Sequence, residues 1–338
     1  MSSYSSSEDS DSSYKSLNKD ISKMTERDWR IFREDNEIII KGGRVPHPIR
    51  SWTEGNILPD YILKSISEAG FKRPSPIQMQ GIPIGLEKRD MIGLAPTGSG
   101  KSLAFIIPLI IYLNPLERIT SVNSEHGPYA IILAPSRELA IQIHETFKTF
   151  AKSSNIKAAL VIGGRSHDEQ IIHLELGAEV IIATPGRLQD ALQQGFTSLE
   201  NCNYVVLDEA DKMIKENFEE SLNYILDCIP STNLKSIDEK LAEIEEKECK
   251  EGNKNYRITM MFSATMNPTL ESLARKYLRC PSYISIGEPG LGKKNIKQTV
   301  LFLSEEQKRS KLRHILNDYD SYRLPMIIFV NKKRDADL

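Results

Sequence analysis

Apolar residues in this chain fall into short unbroken runs, separated by longer stretches in which they recur every three or four positions. The runs at 91–94, 130–133, 158–162, 180–183, 205–207 and 259–262 are too short for helices and carry many β-branched residues. Such runs are the mark of strands buried on both faces. Between them the three-to-four spacing predicts helices, as at 137–150 and 216–228. Alternation of this kind implies an α/β fold, a parallel sheet with helices on both faces, over residues 52–287.

The flanking segments read differently. Residues 1–23 are serine-rich with Glu8, Asp9 and Asp11, cannot bury a core and are expected to be disordered. They are either a solvated tail or a platform for acid-directed kinases. In the flank 24–51, Thr25 and Asp28 have helix-start spacing, and Trp29, Ile31 and Phe32 weight a short helix ending near Asp35. Gly42-Gly43 and Pro46-His47-Pro48 then enforce an extended segment that packs along a domain. Residues 231–256 are dense in Lys and Glu, with Leu234, Ile237, Leu241 and Ile244 three or four apart. They predict an inserted, largely exposed amphipathic helix, either a surface excursion or a partner-binding element. A second polar insertion is expected at 114–127. Residues 288–297 read as a linker. Beyond it, 299–303 is strand-like, 305–319 helical and 326–330 a buried strand. About forty residues cannot build an independent core, so 298–338 is expected to be the truncated start of a second domain.

Composition narrows the function classes. Lys plus Arg (44) nearly balance Asp plus Glu (46), a net charge of -2, so any basic surface must be local. The four cysteines lie far apart and are expected to be reduced thiols of an intracellular protein. The six histidines show no metal-ligand spacing, and the polar N-terminus shows no secretory signal. The longest apolar stretch, Leu103 to Leu113, is broken by Pro108 and is too short to span a bilayer. No membrane association is expected.

Chemistry concentrates at two places. Ala95-Pro96-Thr97-Gly98-Ser99-Gly100-Lys101-Ser102 follows a predicted strand and opens an apolar helix, the context of a phosphate loop. Gly98 and Gly100 let successive backbone N–H groups face phosphate, and the helix N-terminus adds its positive end. Lys101 is expected to reach the β- and γ-phosphates, and Ser102 to ligate Mg²⁺. Ala95 stands where the general pattern has glycine, which suits a residue that keeps φ negative. Asp208-Glu209-Ala210-Asp211 follows the run Tyr204-Val205-Val206-Leu207, so Asp208 and Glu209 emerge at the carboxyl end of a core strand, where open α/β sheets place ligands. Asp208 is the expected Mg²⁺ partner. Glu209 is the candidate general base or water orienter, and Asp211 the candidate coupling residue.

With these residues in this order, the chain resembles the DEAD-box RNA helicases from Trp52 onward. Gly70-Phe71-Lys72-Arg73-Pro74-Ser75-Pro76-Ile77-Gln78 is similar to the family's adenine-reading Q motif. There Phe71 can stack on the base and the Gln78 amide can give and take hydrogen bonds. Trp52 matches the aromatic upstream of that motif. Pro135-Ser136-Arg137, Gly163-Gly164 and Thr184-Pro185-Gly186-Arg187 resemble the RNA-contacting motifs, with Ser136 where the family usually has Thr. Contacts of that kind go to backbone and are sequence-independent. Ser263-Ala264-Thr265 matches the motif whose hydroxyls bond the D-E-A-D segment and couple hydrolysis to strand separation. Ile327-Ile328-Phe329-Val330-Asn331 resembles the first motif of a second domain. The flank Met24–Trp52 and the charged insertion resemble a spliceosomal subgroup that acts at the 5′ splice site, although its long Arg/Ser-rich arm is here a short serine-acid tail.

The resemblance implies a RecA-like fold, ATP and Mg²⁺ as cofactors, and ATP hydrolysis coupled to remodelling of an RNA duplex or ribonucleoprotein. It also implies spliceosomal partners, nuclear action and a monomer. The family's arginine fingers lie in second-domain motifs that come after those present here. Two other readings stand beside this one: a nucleotide-binding or scaffold fragment with little turnover, and a cytoplasmic DEAD-box protein of translation or RNA decay.

Overall fold

A computed structural model of the chain describes residues 19–43, 45–164, 167–287, 299–317 and 325–331. The expected disordered tail therefore lies almost wholly outside the described residues, as does the expected linker. The chain divides into two compact units, Met1–Gly290 and Leu291–Leu338.

In chain order the first unit runs α1 (Glu26–Asp35), β1 (Ile38–Lys41), α2 (Asp60–Glu68), α3 (Pro76–Leu86), β2 (Met91–Leu94), α4 (Lys101–Leu113), β3 (Ala130–Leu133) and α5 (Arg137–Ala151). It continues with β4 (Ala158–Val161), α6 (His167–Glu175), β5 (Val180–Ala183), α7 (Pro185–Gln193), β6 (Tyr204–Leu207), α8 (Ala210–Lys215) and α9 (Glu219–Asp227). It closes with α10 (Glu239–Glu251), β7 (Ile258–Ser263), α11 (Pro268–Tyr277) and β8 (Ser282–Ile286).

The strands form one sheet in the order β1-β8-β2-β7-β6-β3-β5-β4. All neighbours are parallel except the edge pair β1–β8. The sheet is thus mixed rather than wholly parallel. Only β1 reverses, pairing antiparallel with β8 at the edge of the sheet. Neither β1 nor β8 was expected from the sequence. Ile39 of β1 is exposed and β8 is largely half-buried, so neither carries the fully apolar signature of an inner strand.

That signature has a plain cause in the inner strands. Successive residues pack into opposite layers: Ile132, Ile182, Val206 and Met260 into one, Ile131, Ile181, Val205 and Met261 into the other. The first layer is covered mainly by α3, α4 and α5, the second by α7, α8, α9 and α11. Helices α3 and α4 approach so closely that a Cβ on Gly85 would lie 2.7 Å from Pro108 and 2.9 Å from Met260 Cε. The helix expected at 216–228 opens only at Glu219, because Asn217 takes φ 63° and ends α8.

The insertion forms its helix with the opposite face inward. Ile237, Leu241 and Ile244 are exposed at 81%, 53% and 56%, while Lys235 and Ala242 are buried. Lys235 Nζ donates to Asp90 Oδ1 at 2.9 Å, and Arg89 Nε meets Glu246 at 3.3 Å. Burial of Ala242 and Cys249 and the pairing of Glu246 with Arg89 in the turn before β2 together seat α10.

In the second unit, α12 (Glu305–Asn317) forms where a helix was expected. The strands expected at 299–303 and 326–330 do not form, and Ile327 and Phe329 are 79% and 91% exposed. A strand needs a neighbour for its backbone bonds, and among the described residues neither segment is paired. No described helix is long and apolar enough to cross a membrane.

Candidate nucleotide and nucleic-acid site

The carboxyl ends of β2, β7 and β6 lie side by side. The loop after β2 is tied to β7 at once, since Ala95 N–H donates to Ser263 O at 3.0 Å. Gly98 and Gly100 take φ of 76° and 88°, conformations costly for other residues. Ala95 is not in the left-handed region, so alanine is compatible with its place. A Cβ at Gly100 would sit 2.5 Å from Gln78 Nε2, so this glycine also makes room for the neighbouring loop. Pro96, Thr97 and Gly98 are exposed and Ser102 half-buried. Ser99 Oγ is buried without a partner among the described residues. Lys101 is 6% exposed, and its Nζ donates to Ala95 O at 2.9 Å. Burial draws the Lys101 ammonium below its ordinary pKa, against the pull of Asp208, Glu209 and Asp211.

From β6 the chain delivers its acids. Asp208 N–H donates to Leu133 O at 2.9 Å, and Asp208 Oδ1 accepts from Glu209 N–H at 2.9 Å. Only 2% exposed, Asp208 has its carboxyl pushed up to about 6 by burial, with Lys101 opposing the rise. Glu209 caps α8 at φ 51°, ψ 45°, a left-handed conformation that turns strand into helix within one residue. Its Oε2 meets Lys212 Nζ at 2.8 Å. Lys212 escaped the reading of the sequence, although its i,i+3 spacing from Glu209 was there to be seen. Burial works against charge on Asp211, but the hydroxyls of Thr265 and Ser263 and the Lys215 ammonium outweigh it and hold the carboxyl below its ordinary range. Thr265 Oγ1 donates to Asp211 Oδ2 at 2.7 Å, and Ser263 Oγ donates to Thr265 O at 2.7 Å.

Ser102 and Asp208 offer hard oxygen donors, and among the described residues no group of three or more His, Cys, Asp or Glu gathers to enclose a metal. A sparse all-oxygen set fits Mg²⁺, which keeps waters and takes phosphate oxygens for the rest of its shell.

The loop before α3 adjoins the phosphate loop. Gln78, 3% exposed, accepts from Ser75 N–H at 2.8 Å through Oε1 and donates from Nε2 to Gly100 O at 2.9 Å. One amide hydrogen and one oxygen lone pair remain for another partner. Phe71 stands 42% exposed, its ring 6.3 Å from that of Phe150.

Farther along the same sheet edge lie the ends of β3, β5 and β4. Ser136 Oγ accepts from Leu139 N–H at 3.2 Å and caps α5. The exposed Arg137 crosses to β4, where a Cβ on Gly164 would lie 2.2 Å from its Nη1. Pro135 is buried behind it. Thr184, Pro185 and Gly186 open α7, and Arg187 Nη1 lies 4.0 Å from Asp190. Three separate motifs of the sequence thus share one edge.

A cavity of about 840 Å³ lies elsewhere, between α10 and the residues Gly43, Val45 and Pro46. Arg89 and Cys280 line it just before β2 and β8, so it belongs to the amino ends of the strands and not to this site.

A DEAD/DEAH box helicase family model matches residues 75–273. Human "Probable ATP-dependent RNA helicase DDX23" is 48% identical over 324 residues, covering 95% of this chain and 39% of that protein. "Pre-mRNA-splicing ATP-dependent RNA helicase PRP28" of Cryptococcus neoformans is 46% identical, covering 95% and 43%. The chain therefore spans about two-fifths of the length of these relatives. Among solved structures, the RNA helicase Prp28 from Chaetomium thermophilum bound to ADP matches with TM-score 0.67 and 40% identity, covering 94% of this chain and 69% of that one. The yeast DEAD-box splicing factor Prp28 matches with TM-score 0.72 and 37% identity, covering 95% and 68%.

Proposed function

The chain belongs to the DEAD/DEAH box helicase family, and on that premise we propose that it binds Mg-ATP and RNA along one sheet edge and couples ATP hydrolysis to RNA remodelling in pre-mRNA splicing. One observation carries the reading: Lys101, Gln78, Asp208 and Glu209 converge at the ends of β2 and β6, while Arg137, Gly163–Gly164 and Thr184–Arg187 continue the same edge. The names of the splicing relatives support the biological setting, and with it action in the nucleus.

Phe71 stacks on the adenine and Gln78 uses its free amide valences on the base edge. Backbone N–H groups of Pro96–Ser102, apart from the prolyl nitrogen, hold the phosphates, with Lys101 supplying the positive charge. Ser102 and Asp208 hold Mg²⁺, which neutralises phosphate charge when bound. Glu209 orients the attacking water and accepts its proton as the water oxygen bonds to the γ-phosphorus and the bond to the bridging oxygen breaks. Thr265 and Ser263 transmit the change at Asp211. RNA is held through its sugar-phosphate backbone by Ser136, Arg137, Gly163, Gly164, Thr184 and Arg187, without base readout. We read 298–338 as the beginning of a second RecA-like domain, by the likeness of Ile327–Asn331 to its first motif.

Two measurements test this. RNA-stimulated phosphate release by the full-length protein should be abolished by Lys101→Ala. Purification of the tagged full-length protein from nuclear extract should enrich spliceosomal RNAs. Stimulation that survives Lys101→Ala overturns the site assignment, and enrichment of ribosomal or decay complexes instead overturns the splicing assignment.

A further inference from the structure

Helix α3 has no solvent face: every residue from Ile77 to Gly85 is buried. Its angular setting is therefore decided by what it packs against. Pro83 lies within it and has no N–H, so Met79 O lacks its partner one turn on. The flank supplies the missing donor, since Ile49 N–H donates to Met79 O at 2.9 Å. One residue further, Gln80 is fully buried. Its Oε1 accepts from Arg33 Nε at 3.0 Å, and its Nε2 donates to Pro46 O at 2.8 Å. Arg33 lies 47 residues before Gln80, on α1. It is half-buried and makes a charge-assisted bond, the stronger kind.

The flank that holds Gln80 is itself anchored. Thr25 and Asp28 close a capping box on α1. Phe32 enters the core at 2% exposure, and Trp29 stacks on His47 with ring centroids 4.7 Å apart. β1 then joins β8, the neighbour of β2, the strand that leads into the phosphate loop. Residues 78 and 80 point to nearly opposite sides of one turn, at 3.6 residues per turn. Gln78 faces Gly100 of the phosphate loop and Gln80 faces the flank.

We infer that Arg33 and Gln80 are positioning residues for nucleotide selectivity: the flank Glu26–Ile49 sets the rotation of α3 and thereby the aim of the Gln78 amide at the base. This rests on the reading of Gln78 as the adenine contact. In this role the pair acts through Gln78 and not by touching the base itself. Its loss leaves buried polar groups unmatched and lets the helix turn to satisfy them. A small rotation costs selectivity because a hydrogen bond fails steeply with angle.

The test titrates this chain with fluorescent ADP and GDP analogues, which requires no turnover. The native chain should prefer the adenine analogue, and Gln78→Ala should erase the preference. Arg33→Met and Gln80→Met should each lower the ADP-to-GDP affinity ratio about tenfold, with GDP affinity nearly unchanged. Arg33→Lys, which keeps the charge but not the fork, should fall between. A merely structural role would weaken both nucleotides alike or lower only the melting temperature. An unchanged ratio in Arg33→Met and Gln80→Met, with the ratio lost in Gln78→Ala, overturns the proposal alone. If Gln78→Ala leaves the ratio intact, the adenine reading itself fails. Should Arg33→Met be recovered unfolded, the ratio is read from Arg33→Lys and Gln80→Met under the same criteria.

Discussion

The two halves of the sheet edge use one topology in opposite surroundings. At the ends of β2 and β6 the reactive groups are enclosed: Asp208, Gln78, Lys101 and Glu209 are 2%, 3%, 6% and 9% exposed. At the ends of β3, β5 and β4, Arg137 and Gly164 stand open to solvent. Enclosure makes each charge strong and dependent on particular partners, because a buried ion has no water to compensate it. On the function proposed above, the open half would work by adding weak, interchangeable contacts to a charged backbone. Buried groups therefore see their protonation moved, as Asp208 does, whereas surface groups change affinity in small steps.

This contrast can be broken from its strongest point outward. Glu209→Gln keeps the side chain's size and removes the base, so the turnover of the full-length protein should fall about 10²–10⁴-fold while nucleotide affinity holds. Stopped-flow phosphate release and equilibrium titration measure the two, and intact turnover would remove Glu209 from the role.

Asp208→Asn tests the enclosure itself. Because the folded state raises the Asp208 pKa from 3.8 to about 6, its contribution to stability is fully present below 3.8 and lost as pH rises through 6. At neutral pH the native chain carries a disfavoured charge. Asp208→Asn should therefore be more stable than the native chain by about 3 kcal/mol above pH 7, and the gap should close below pH 4. Denaturant melts at both pH values decide it, and a gap independent of pH would contradict a buried, raised carboxyl.

Thr265→Val removes the 2.7 Å bond to Asp211 without changing shape. RNA-stimulated hydrolysis by the full-length protein should change about two- to fivefold, in keeping with one hydrogen bond of ~1 kcal/mol, while duplex separation drops further. Equal losses in both assays would argue against a coupling role.

The smallest effect belongs to the open half. Arg137→Met should weaken RNA binding about equally for all sequences and reduce the salt slope by about 1, leaving ADP affinity unchanged. A loss confined to one RNA sequence would mean that this edge reads bases.

Much of the molecule was legible in the chain. The strands at 130–133 and 180–183 announced themselves because both of their faces are covered and every position must be apolar. The phosphate loop and the D-E-A-D segment were legible because their positions depend only on the local step from strand to helix. The features that escaped notice depended on distant partners. β1 exists because β8 offers an edge some 240 residues later, and β8 itself is half-buried. The insertion's exposed helix was legible, and Leu241 and Ile244 do face solvent, but its ties to the rest of the unit, Lys235 to Asp90 and Glu246 to Arg89, were not. The run at 326–330 is as apolar as any inner strand, yet among the described residues it has no neighbour and forms none.

By itself the sequence determined the features that local periodicity and local chemistry dictate: the inner strands, the helices between them, the phosphate loop and the acids at a strand end. These are decided by the spacing of apolar side chains and by backbone geometry over a few residues. Only the tertiary structure decided which strand ends adjoin, which carboxylate is buried enough to resist ionisation, and that Arg33 reaches Gln80 across 47 residues. Those depend on dielectric surroundings and on hydrogen bonds between segments remote in sequence, which exist only once the sheet has assembled.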